Sequence, residues 1–176
     1  MSLPEPRRTA GPYRIILVCL GNICRSPMAE KVLVSDLQRA GIADRVEVDS
    51  AGTGSWHVGS GMDARAAATL RVHGYPTDHE ARRFDPSWFA GRDLVLAMDT
   101  DNLDELRGLA PDDEARSRIA LFRSFAPGTG ANPEIPDPYY GGEDGFTAVL
   151  TMVEAAAKGL AEELAERLGT DPAGAR

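Results

Sequence analysis

A chain of 176 residues fits a single domain and is large enough to bury a real core. At 43% hydrophobic and 26% charged, with no apolar run long enough to cross a bilayer as a helix, its composition is that of a globular protein and no membrane-spanning helix is expected. The formal charge of -8 disfavours a general binder of nucleic acid or anionic membrane, yet the 19 Lys and Arg residues suffice to concentrate positive charge at one anion pocket.

Residues 1–12 carry Arg7 and Arg8 but lead into no cleavable-signal pattern, so export is not expected and this segment reads as a flexible end. Residues 14–18 are a continuous, β-branched apolar run, the pattern of a strand buried on both faces. Pro27 suits the first turn of a helix, and Met28, Ala29, Val32, Leu33 and Leu37 continue it to about Ala40, with Gly41 as the stop. A second strand is expected over 46–51, a helix capped by Asp63 through about His73, a third strand over 93–98, a helix over 100–109 and a fourth strand over 118–122. The Pro- and Gly-rich stretch 123–142 lacks periodicity and is long for a plain connection, which marks it as functional. A final helix over 145–168 presents Phe146, Val149, Leu150, Val153, Ala157, Leu160 and Leu164 on one face, and 170–176 read as a flexible tail after a single domain at 13–169.

This strand-helix alternation predicts an α/β three-layer sandwich, with a four-stranded parallel sheet flanked by helices on both faces. Ligands in such folds bind beyond the carboxyl ends of the strands, where the segment Cys19–Ser26 lies. The chain has two cysteines, Cys19 and Cys24, which do not resemble a secreted disulfide framework and suit a reducing, cytoplasmic compartment. His57, His73 and His79 show no metal-ligand spacing with them; they read as surface or capping residues, and neither metal nor cofactor is expected.

A loop from a strand into a helix aims backbone N-H groups and the positive end of the helix dipole at one point, which suits phosphate. Gly21 permits close backbone approach, Asn22 tolerates positive φ, and Leu20, Ile23, Cys24 and Ser26 complete the curve. Arg25 adds a planar, permanently charged fork for two phosphoryl oxygens. Cys19 shares this field, in which a thiol loses its proton more easily, and Ser26 is placed to donate a hydrogen bond to the sulfur. Cys19 and Arg25 with five residues between them can arise by accident, as a buried thiol beside a structural arginine. Gly21, Asn22, Ser26 and Pro27 in the same setting argue for a phosphate loop.

The run Val18–Glu30 resembles the signature of the low-molecular-weight protein tyrosine phosphatases almost residue for residue. Val48–Thr53, His73-Gly74, His79–Arg82, Met98-Asp99 with Asn102, and Asp137–Tyr140 resemble further segments of that family in the same order, so the likeness covers roughly residues 14–168. The resemblance implies Cys19 as nucleophile, Arg25 as phosphate clamp and Asp137 as general acid, then base for the water that hydrolyses a phosphocysteine. It also implies Ser50 as the partner that holds Asn22, and Trp56, Tyr139 and Tyr140 as walls of an aryl cleft. Cys24 matches a second family cysteine able to bond the nucleophile under oxidation. The implied partners are phosphotyrosine-containing proteins, with no nucleic acid or membrane, and the expected state is a monomer or weak homodimer.

Three other readings compete. An arsenate reductase shares this loop but needs further cysteines, and only Cys24 is present. A protein arginine phosphatase resembles threonine where this chain has Ile23, which favours tyrosine. An inactive phosphate-binding module would not need Cys19, Arg25 and Asp137 together. The chain departs from the family at Ala64, where proline often precedes the arginine matching Arg65, and across 123–136, which is unmatched.

Overall fold

The four expected strands pair in parallel in the order β2-β1-β3-β4, comprising β1 (Tyr13–Cys19), β2 (Val46–Gly52), β3 (Leu94–Ala97) and β4 (Ile119–Leu121). The computed structural model describes residues 3–131 and 133–169. Five α-helices join them: α1 (Arg25–Arg39), α2 (Ala64–Val72), α3 (Thr100–Leu109), the single turn α4 (Asp113–Arg116) and α5 (Glu143–Leu168). Short 3-10 turns at Ala43–Arg45, Pro86–Gly91 and Phe122–Phe125 were not expected, because three to six residues carry no readable period.

The central strand alternates its side chains between two cores. Ile15 and Leu17, with Leu94 and Leu96, pack beneath Val32, Leu33 and Leu37 of α1 and Val149, Val153 and Leu160 of α5. Ile16 and Val18, with Val95 and Ala97, face Phe84, Phe89 and the α3 residues Leu103 and Leu106. Burial on both faces explains why these strands read as unbroken apolar runs and gives the three layers. Among the described residues no helix is long and apolar enough to cross a membrane.

Several expected boundaries move by one or two residues. Helix α1 begins at Arg25, two residues before the expected Pro27, so Arg25 and Ser26 lie in its first turn. Pro27 fits there because the first amides of a helix have no intrahelical acceptor to lose. The N-terminal segment, expected to be a loose end, is tied to the domain at several points. Leu3 is buried, the Arg7 amide donates to the buried carboxylate of Asp93 at 2.7 Å, and the Tyr13 hydroxyl donates to the Pro4 carbonyl at 2.9 Å. Arg118 and Arg167 donate to the carbonyls of Glu5 and Leu3. These bonds use the segment's backbone, which leaves no side-chain pattern to read. The tail 170–176 lies outside the described residues.

Strand order reverses between β1 and β3, so the crevice at their carboxyl ends is the topological switch point of the sheet. The loop after β1 and the Met98-Asp99 step after β3 both open there. Beneath them, a methyl group at Gly159 of α5 would meet the Phe125 carbonyl at 2.0 Å, whereas one at Gly108 of α3 would meet nothing within 4 Å. Gly159→Ala is expected to destabilise the fold by about 2 kcal/mol through overpacking, despite the better helix propensity of alanine. Gly108→Ala should stabilise it by about 0.5 kcal/mol. Chemical denaturation of the two variants checks both signs.

Candidate active site

The loop Cys19–Ser26 owes its curvature to where its carbonyls go. The Cys19 and Leu20 carbonyls accept from the amides of Thr53 and Gly54, the Ile23 carbonyl from the amide of Asp63, and the Cys24 carbonyl from that of Met28, all at 2.9 to 3.1 Å. The Asn22 carbonyl accepts from Nε2 of His79 at 2.6 Å. In a planar trans peptide the N-H points opposite to the C=O. Five carbonyls directed into the protein therefore turn the amides of Leu20, Gly21, Ile23, Cys24 and Arg25 to the concave side. The resulting nest, at the start of α1, is an anion site made of backbone.

Asn22 is the pivot. Its φ of 57° is the one positive value at a non-glycine residue among the described residues. It is fully buried, and its Nδ2 donates to Ser26 Oγ at 2.8 Å and to Ser50 Oγ at 3.0 Å, while its Oδ1 accepts from the Arg82 amide at 3.0 Å. Ser50 passes its own proton to Glu30 at 2.6 Å. Glu30, His79 and Arg82 extend the support of the loop beyond Ser50. Gly52 lets the end of β2 approach this turn, since a methyl group there would lie 2.7 Å from the Leu20 carbonyl.

Ser26 Oγ lies 3.0 Å from Cys19 Sγ and 3.3 Å from the Ala51 carbonyl, and it already accepts from Asn22. It has one proton to give, and a thiolate, which only accepts, can take it. Cys24 is also buried and free, but burial, then Asp63, Cys19 and Asp137, push its thiol far up. Cys24 therefore stays protonated at neutral pH.

Arg25 is 2% exposed, and its Nη1 is committed to Asp99 at 2.5 Å and to the Ile135 carbonyl at 3.0 Å. Its Nη2 lies 3.5 Å from Asp137, and the Nε/Nη2 edge faces the remaining task of gripping an oxyanion. Burial works against its charge, but Cys19, Asp99 and Asp137 outweigh it and raise its pKa further. Asp99 has a second duty, since its Oδ1 caps α3 through the Asn102 amide at 2.8 Å. That role was missed in the sequence, although an Asp immediately before a helix is a preferred N-cap and could have singled it out.

One cavity of about 300 Å³ gathers Cys19, Gly21, Arg25, Asp137 and Tyr139. Leu20, Ile23, Cys24, Trp56, His57 and Tyr140 also line it, so every residue expected at the loop or cleft borders this space except Asn22, Ser26 and Ser50, which support it from behind. The aromatic residues that line the cavity differ in exposure. Trp56 is 73% exposed and lies over Gly54, and Tyr140 is 93% exposed and touches Tyr139 edge-on at 5.0 Å. His57 joins them at the mouth, and it and Tyr139, whose rings are 6.1 Å apart, are the half-buried members of the wall. His57 and His79, expected to be surface or capping residues, serve the mouth and the loop; His73 does cap, at the end of α2.

Burial lowers the pKa of His79, assisted by Lys31 and Arg82 and opposed by the Asn22 carbonyl and Glu30. The folded state therefore binds this proton less readily than the unfolded chain. The stability it contributes is fully present above about pH 6.5, the ordinary imidazole value, and is lost as pH falls toward the lower folded value. His79→Gln retains a donor for the Asn22 carbonyl without the titration. Urea midpoints from about pH 7 to about pH 5 should fall more steeply in the wild type than in His79→Gln; parallel curves would contradict this assignment.

A family model described as low molecular weight phosphotyrosine protein phosphatase matches residues 14–169. A low molecular weight protein-tyrosine-phosphatase from Streptomyces coelicolor is 50% identical over 89% of this chain and 96% of its own length. The crystal structure of a protein tyrosine phosphatase from Entamoeba histolytica superposes with a TM-score of 0.83 at 38% identity, covering 89% of this chain and 99% of that one. The YwlE arginine phosphatase of Bacillus subtilis is more distant, at 27% identity and a TM-score of 0.77, covering 86% and 95% of the two chains.

Proposed function

This chain belongs to the low molecular weight phosphotyrosine protein phosphatase family and is a cysteine-based phosphatase, and from that premise we propose that it hydrolyses phosphotyrosine in proteins through a phosphocysteine on Cys19. The observation that carries the proposal is the meeting of Cys19, Arg25 and Asp137 in one cavity floored by convergent amides.

In the first step the Cys19 thiolate attacks phosphorus while the amide nest and the free edge of Arg25 hold the three non-bridging oxygens. The bond from phosphorus to the aryl oxygen breaks, and the protonated carboxyl of Asp137 gives that oxygen its proton. In the second step Asp137, now a carboxylate, takes a proton from a water whose oxygen attacks phosphorus. The sulfur-phosphorus bond breaks, inorganic phosphate is released, and the Ser26 hydroxyl stabilises the returning thiolate.

The nucleophile lies at the floor of a cleft bordered by Tyr139 and His57, so an aryl ester reaches it more readily than the short side chain of phosphoserine. Ile23 offers an apolar contact at the position where the arginine phosphatases resemble threonine, and this supports tyrosine over arginine as the phosphorylated residue. A thiolate nucleophile with a second free thiol beside it in sequence suits a reducing, cytoplasmic location. When peroxide oxidises the Cys19 thiolate to a sulfenic acid, the Cys24 sulfur bonds to it with loss of water, giving a disulfide that a thiol reductant reverses.

Turnover on matched phosphotyrosine, phosphoserine and phosphoarginine peptides tests the substrate class, and preference for either of the last two would sink it. Cys19→Ser should abolish turnover, and Asp137→Ala should lower it by roughly 10²- to 10⁴-fold on phosphotyrosine peptides. Acid-quenched wild type exposed to ³²P-labelled ester should retain label at Cys19.

A further inference from the structure

The two halves of this site come from distant parts of the sequence, and Asp63 and Arg65 stand between them. The Asp63 amide donates to the Ile23 carbonyl of the phosphate loop at 2.9 Å. Its carboxylate caps α2 by accepting from the amides of Arg65 and Ala66 at 2.8 and 3.3 Å, and also receives Nε and Nη2 of Arg65 at 3.2 and 3.0 Å. Burial opposes the Asp63 charge, but these bonds outweigh it and hold the carboxyl below its ordinary range. The forked contact fixes the plane of the guanidinium.

Held in that plane, Arg65 reaches the loop that carries Asp137. Its Nη1 donates to the Gly141 carbonyl at 3.3 Å, and its guanidinium carbon lies 5.4 Å from the centre of the Tyr139 ring and 4.7 Å from that of the buried Phe146 at the start of α5. The loop is otherwise bonded mainly to itself, with the Tyr139 amide donating to Asp137 and the Gly141 amide to the Pro138 carbonyl, both at 3.0 Å. Among the described residues, the Arg65 bond is the one hydrogen bond from outside 137–145 to the backbone of 137–142.

We propose that Arg65, oriented by Asp63, is a positioning residue that sets the general-acid loop over the phosphate loop, so that the Asp137 carboxyl meets the leaving oxygen. The inference rests on the mechanism above and goes beyond it. Asp63 ties the brace to the phosphate loop, and Arg65 carries it across to the ring of Tyr139 and the turn at Gly141. Arg65 touches neither phosphate nor sulfur, so its loss affects proton delivery and leaves oxyanion binding intact. Lysine keeps the positive charge but cannot fork to Asp63 while bonding Gly141 and stacking on two rings.

A series of aryl phosphates whose leaving groups differ in basicity separates this role from general structural support. A poor leaving group such as phenolate needs the proton, and p-nitrophenolate needs it far less. In Arg65→Ala, kcat/KM for phenyl phosphate should fall by about 10-fold and for p-nitrophenyl phosphate by less than about 3-fold, since general acid catalysis supplies the difference. Inhibition by inorganic phosphate should stay within about 2-fold of wild type, because the amide nest is untouched. Arg65→Lys should fall between, and it carries the test if the alanine variant does not fold. In an Asp137→Ala background, Arg65→Ala should add no further leaving-group dependence, as expected of residues acting through one step.

An equal loss on every ester, or phosphate inhibition weakened in step with kcat/KM, would overturn the brace. If Asp137→Ala steepens the dependence and neither Arg65 variant does, the brace alone fails. If Asp137→Ala leaves the dependence unchanged, the general-acid assignment fails first and the brace falls with it.

Discussion

Everything in the site depends on keeping a short loop curled with its amides facing one point before any anion arrives. Such a turn is unfavourable by itself. It gathers parallel N-H dipoles and holds Asn22 in left-handed backbone, which costs an ordinary residue roughly 1 to 2 kcal/mol. The cost is offset locally by Asn22's bonds to Ser26, Ser50, Arg82 and His79, each contributing on the order of 1 kcal/mol. The side chains of Asn22, Ser26 and Ser50 are all buried, so removal of one would strand the others without water to replace it. The same carbonyl anchors that shape the loop join it to β2, to α2 and to His79, which makes its geometry a property of the whole carboxyl edge of the sheet.

Electrostatics complete what the backbone begins. A guanidinium buried as deeply as Arg25 needs partners, and it has Asp99 at the end of β3, the Ile135 carbonyl on the approach to the acid loop, and Asp137 on that loop. The residue that grips the anion is thus also the junction of three segments. Ile135 is itself buried, and its amide donates to the Met98 carbonyl at 2.8 Å, so the long irregular connection is pinned just before Asp137. Pinning at Ile135 and the brace from Arg65 bracket the loop on both sides of its carboxyl.

Much of this was legible from residue order. Strand β1, the phosphate loop and α1 are local events: a β-branched run, a polar turn with Gly21 and Asn22, then an apolar stripe at helical spacing. The capping of α2 by Asp63 was readable for the same reason. Asp99 was quoted only as part of a matching segment, because a carboxylate shows its charge in the sequence but not the guanidinium it meets 74 positions away. His79 and Arg65 were likewise named without the contacts they make, since the Asn22 and Gly141 carbonyls they meet lie 57 and 76 positions distant.

The sequence by itself determined the order of strands and helices, the position of the anion loop between the first of each, and the presence of a thiol, a fork and a carboxyl suited to phosphoryl transfer. Those follow from period, turn chemistry and side-chain type, which act over a few residues. Only the tertiary structure decided that His57 joins Trp56, Tyr139 and Tyr140 around the cleft, that residues 3–7 are bonded to the domain, and that Arg65 spans the two loops. These depend on which segments the sheet's crossovers bring to one edge, and neither burial nor a distant partner is encoded in any short stretch of chain.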